Sequence, residues 1–113
     1  MIMSEIQYNK LVRDKIPEII EKSGNTCEIE ILSNDEYLKM LDMKIEEELQ
    51  EYYQDKNLEE LADLLEVIFA TAEARGYSIE ELERVRQKKA SERGAFKQKI
   101  MLKKVFKPNV GDE

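Results

Sequence analysis

Between Lys44 and Asp63 the chain reads KIEEELQEYYQDKNLEELAD, and its carboxylates fall at spacings that can do chemistry. Glu48 and Glu51 are three apart, as are Glu60 and Asp63, which puts each pair on one face of a helix. A polar break, Gln54 to Asn57, separates the pairs. If the break is a turn, two helices fold back and four carboxylates converge on one point.

Glu47 completes an E-E-x-x-E motif, followed by E-x-x-D. Ligands that offer only oxygen suit Mg²⁺ or Mn²⁺, and carboxylates from two facing helices can hold such an ion. Two like charges about 4 Å apart repel by roughly 4 kcal/mol at an effective dielectric of 20. Converging carboxylates must therefore spread into solvent, take up protons or bind cations. With a polyphosphate added, more than one divalent ion is expected, both to hold the phosphates and to activate a water. The competing reading is a solvated helix face, with Glu60 serving a capping box that starts at Asn57. Against it, the pairs directly flank the inferred turn, and the third helix leaves little polar face for Asp63 and Glu66.

The chain has no histidine and one cysteine, Cys27, so a histidine base, a Ser-His triad and an imidazole zinc site are excluded. A lone cysteine suits a reducing cytosol. No run approaches the ~18 apolar residues of a membrane span, and the N-terminus lacks a signal pattern. A cytoplasmic location follows as the expectation. The net charge of −7 is unevenly divided. Residues 28–83 carry eighteen acidic side chains against four basic, and residues 84–107 carry ten basic against one acidic. An acidic site beside a basic one is expected, not a nucleic-acid surface. Lys89 and Arg93 in the basic segment are candidates for phosphate contact, as are Lys10, Arg13 and Lys15 at the entrance of the first helix. For both groups the plainer reading is solvated or ion-paired surface charge.

What must position these residues is a set of helices. Asp14 is the expected N-cap of the first, with Pro17 in its first turn and Gly24 as its stop. Ser33 and Glu36 form a capping box for a second helix ending about Tyr53. Asn57 caps a third that ends at Gly76, and Ser78 with Glu81 caps a fourth that ends at Gly94. TCEIEIL alternates like a half-buried strand, with QKIMLKKVF as its expected partner in a small two-stranded appendage. At 113 residues the chain is expected to be one domain, an all-α four-helix bundle. The third helix is apolar around much of its circumference, so a homodimer or a dimer of dimers is expected.

E-E-x-x-E followed by E-x-x-D on such helices resembles the all-alpha nucleoside triphosphate pyrophosphatases, the MazG-like superfamily. YNKLVRDKIPEII near the start and KKASERGAF near the end resemble its short phosphoribosyl-ATP-pyrophosphohydrolase-like group. The resemblance runs over roughly residues 8 to 106. It implies magnesium-dependent hydrolysis between the α- and β-phosphates of a nucleoside triphosphate, giving the monophosphate and pyrophosphate, as in house-cleaning of non-standard nucleotides. By that resemblance Glu48, Glu51, Glu60 and Asp63 hold the metal, and Glu47 is the remaining acidic residue of the catalytic group. Lys10, Arg13, Lys15, Lys89 and Arg93 fall in the flanking motifs as phosphate ligands. The spacer from Glu51 to Glu60 is short for the superfamily. Two alternatives stay open: a phosphoribosyl-ATP substrate with the same chemistry, and a non-catalytic helical protein-interaction domain.

Overall fold

Side-chain caps set the helix boundaries in the computed structural model, which describes residues 4–109. Four α-helices occur among the described residues: α1 (Ile16–Lys22), α2 (Asn34–Asp55), α3 (Leu58–Ala74) and α4 (Ile79–Arg93). Ser33 Oγ accepts from the Glu36 amide at 3.3 Å, Asn57 Oδ1 from the Glu60 amide at 2.9 Å, and Ser78 Oγ from the Glu81 amide at 3.0 Å. Each bond satisfies one of the orphan N–H groups that a helix start leaves. At the other end of α3, Gly76 takes φ +94° and Tyr77 N–H reaches back to the Ala72 carbonyl at 2.9 Å. This is the glycine stop that a side chain with a Cβ would resist.

The described residues form two compact units that divide after residue 82, and α4 crosses the boundary between them. In the first unit α2 and α3 pack as a helical hairpin. Leu41 on α2 is its buried apolar anchor, and Glu48, about two helical turns before the end of α2, is buried as well. No helix among the described residues is long and apolar enough to cross a membrane.

Three expectations change. Asp14 does not cap α1: Lys15 occupies the cap position without a side-chain bond, and a turn closed by Ile16 N–H on the Arg13 carbonyl at 3.0 Å leads into the helix. α2 runs two residues past Tyr53, because Gln54 and Asp55 continue it until Lys56 adopts a left-handed conformation. The two-stranded appendage is absent, since no strand occurs among the described residues. Ile29, Ile31, Ile100 and Leu102 are all exposed. Alternation promises a strand only where one face is covered, and an uncovered two-stranded ladder is marginal in water.

Candidate functional site

The hairpin turn decides whether the carboxylates meet. It consists of Lys56 at φ 49°, ψ 38° and the N-cap Asn57, so α3 starts three residues after α2 ends. Lys56 donates its N–H to the Tyr52 carbonyl at 2.7 Å, closing the α2 terminus. The reversal is tight, yet it still brings the two acidic pairs together. Oxygens of Glu48, Glu60 and Asp63 lie within 4.8 Å of one another, as do oxygens of Glu47, Glu48 and Glu51. The arrangement is therefore two triplets that share Glu48, where the sequence suggested four carboxylates at one point.

Glu48 is the unusual member. It is only 6% exposed, and its Oε2 is buried without a hydrogen-bond partner in the protein. Glu60 Oε2 is likewise buried and unpartnered. Burial pushes the Glu48 carboxyl above its ordinary value, and the neighbouring Glu51 carboxyl pushes it further. Burial also raises Glu60, helped by the charges of Asp55, Asp63 and Glu48 and partly offset by the nearby Glu51 carboxyl. Such carboxylates hold their charge reluctantly unless a cation joins them.

Cations of the chain already line one side. Burial alone would raise Glu47, but hydrogen bonds from Lys10 at 3.0 Å and Lys44 at 3.4 Å outweigh it and hold Glu47 below its ordinary value. The hydrogen bond to Glu47, joined by that residue's charge, correspondingly raises Lys10. Lys44 Nζ also lies 3.4 Å from Glu48 Oε1, and Arg13 Nη2 is 2.7 Å from Asp63 Oδ1. Five carboxylates thus meet three cations, Lys10, Arg13 and Lys44, which leaves about two negative charges to balance. A divalent ion fits that deficit, and the free oxygens of Glu48 and Glu60 with Asp63 fit its preference for hard oxygen donors.

Lys44 was not among the residues singled out from the sequence. The signal was present: it stands three and four positions before Glu47 and Glu48, on the same helical face. A shallow cleft of about 310 Å³ opens beside it, bounded by Tyr8, Lys10, Leu11, Met40, Met43 and Glu47. Of the remaining candidates, Lys15 stands exposed at the start of α1. Lys89 and Arg93 stand exposed on the part of α4 that belongs to the second unit.

No family model matches this chain, and no solved structure matches it. The chain is similar to an uncharacterized protein of Mycolicibacterium smegmatis, with 55% identity over 42 residues. That stretch is 37% of this chain and 43% of the relative, so it spans less than half the relative's length.

Proposed function

We propose that this chain is a magnesium-dependent nucleotide pyrophosphohydrolase that cleaves a nucleoside triphosphate between its α- and β-phosphates. The observation that carries the reading is the buried, unpartnered Glu48 Oε2 beside Glu60 and Asp63. An acidic cluster on a helix surface is ordinary, but a buried carboxylate oxygen left without a donor is costly unless a cation completes it. Mg²⁺ held by Glu48, Glu60 and Asp63, with Mn²⁺ as a substitute and Glu51 and Glu47 lining the second triplet, would supply Lewis-acid charge neutralisation and a more acidic bound water.

The chain's own residues then have distinct tasks. Lys10 and Arg13 give the phosphates charge-assisted donors at the rim of the site. Attack of water oxygen on the α-phosphorus breaks its bond to the bridging oxygen, which leaves with pyrophosphate. A carboxylate of the cluster accepts the water proton.

The interaction-domain reading draws on one observation, that Lys10, Arg13 and Lys44 already pair with Glu47, Asp63 and Glu48. A purely structural network would satisfy every buried oxygen, and this one leaves two without partners. The experiment is incubation with a panel of nucleoside triphosphates, deoxynucleoside triphosphates and phosphoribosyl-ATP in Mg²⁺, with product identification. Monophosphate and pyrophosphate are expected. Orthophosphate alone rejects the assigned bond. No turnover together with no Mg²⁺ uptake favours the interaction domain.

A further inference from the structure

We infer that the cleft between α2 and the segment before α1 is a nucleobase subsite, in which Tyr8 stacks on the base and Asn9 reads its edge. The inference rests on the phosphate chemistry proposed for the neighbouring carboxylates, and it adds a place for the uncharged end of the substrate. One wall is formed by Tyr8, Asn9 and Leu11. The other is formed by Met40, Met43 and Glu47, which share one face of α2 with Lys44. The space between them is about 310 Å³, at the lower end of the ~300–1,000 Å³ range of small-ligand sites.

The charges of the cleft gather at one end. Glu47 belongs both to the cleft and to the carboxylate triplet with Glu48 and Glu51. Lys10 and Lys44 border the cleft as well, and both reach Glu47, at 3.0 and 3.4 Å. The rest of the lining is aromatic, thioether, aliphatic and amide, without charge. A nucleotide has the same division, with phosphates at one end and a flat, uncharged ring at the other. A ligand anionic throughout, such as pyrophosphate, would leave the apolar end of the cleft unused.

Tyr8 lines this end and is 64% exposed, so its ring is available to a ligand. Every nucleobase has a π-face on which such a ring can stack, and the thioethers of Met40 and Met43 suit the same aromatic neighbour. Asn9 takes φ 48°, a left-handed conformation that asparagine tolerates and glycine accepts freely. The turn alone therefore does not require a carboxamide. What the carboxamide adds is a donor beside an acceptor, the complement of the mixed edge that a base presents.

Calorimetric titration of the full chain in Mg²⁺ tests the subsite without turnover, using the α,β-methylene analogues of ATP, GTP, CTP and UTP with tripolyphosphate as the ligand that lacks a base. The parent should bind at least one analogue about tenfold or more tighter than tripolyphosphate, as one stacked base allows. Tyr8→Ala should lose about that factor for the analogue and leave tripolyphosphate unchanged, and Tyr8→Phe should restore it. Asn9→Gly keeps the backbone conformation, so it should narrow the spread among the four bases while tripolyphosphate again binds as before. Analogues no tighter than tripolyphosphate, or a Tyr8→Ala loss equal for both ligands, overturn the subsite and leave the phosphate chemistry standing. A parent that binds neither ligand overturns both. An unchanged spread in Asn9→Gly overturns the role given to Asn9.

Discussion

Arg13 and Asp63 stand fifty positions apart and meet at 2.7 Å, so the segment before α1 is tied to the carboxylate face of α3. Both side chains are substantially exposed, at 58 and 40%, and the pair therefore adds only about 0–1 kcal/mol to stability. Its weight is functional, because the guanidinium occupies an oxygen that a divalent ion would use. Arg13→Ala should leave the unfolding midpoint nearly unchanged, tighten Mg²⁺ binding severalfold in calorimetry, and raise KM for the nucleotide. Unchanged Mg²⁺ affinity and KM together would remove Arg13 from the site.

Glu48 makes the opposite demand on the fold. Glu48→Gln removes a buried charge while keeping its shape, so the metal-free variant should be at least as stable as the parent. Metal should no longer help it. The parent is expected to gain about 2.7 kcal/mol at Mg²⁺ a hundredfold above its dissociation constant, and the variant close to nothing. Thermal unfolding with and without Mg²⁺ reads both. A variant that keeps the Mg²⁺-dependent gain would contradict the assignment of Glu48 as a ligand.

Stability should follow pH in two opposed windows. Glu48 and Glu60 have folded values above the ordinary 4.5, so the native chain binds more protons than the unfolded chain there. The metal-free protein therefore gains stability as pH falls from neutrality through those raised values, and the gain is complete below 4.5. Glu47 is lowered, so its contribution is present above 4.5 and lost as pH falls through its folded value. A stability maximum on the acid side of neutrality is expected for the metal-free protein, with Mg²⁺ moving it upward. Chemical denaturation across this range, repeated on Glu48→Gln, checks the assignment. A parent profile that declines steadily from neutrality into acid would refute it.

The starts and stops of the helices were legible because they depend on near neighbours. Ser33, Asn57 and Ser78 each bond an amide three residues on, and Gly24, Gly76 and Gly94 each take positive φ. The Glu48–Glu60–Asp63 grouping was legible for the same reason, as helical spacing on two sides of a short turn. Less could be read where the outcome depends on distant chain. TCEIEIL carries a strand pattern, but no near neighbour decides whether a partner covers it. Asp14 has the right chemistry for a cap, yet the turn that starts at Arg13 hands that position to Lys15. The burial of Glu48 relative to Glu47 and Glu51 could not be read either, since all three are glutamates within one helical turn.

The spacer between Glu51 and Glu60 is short, and the tight turn inside it sets a last prediction. Lys56 accepts a left-handed conformation that costs a residue with a Cβ about 1 kcal/mol relative to glycine. Lys56→Gly should therefore hold or slightly raise stability and leave Mg²⁺ binding intact, because the reversal keeps its shape. Asn57→Ala acts on the other half of the turn. It removes the acceptor of the Glu60 amide, costs about 1 kcal/mol, and frees the first turn of α3, where Glu60 sits. Mg²⁺ affinity should fall with it, by more than an equally destabilising Leu→Ala change elsewhere on α2 would produce. Equal losses from the two changes would mean that the cap stabilises α3 without positioning Glu60.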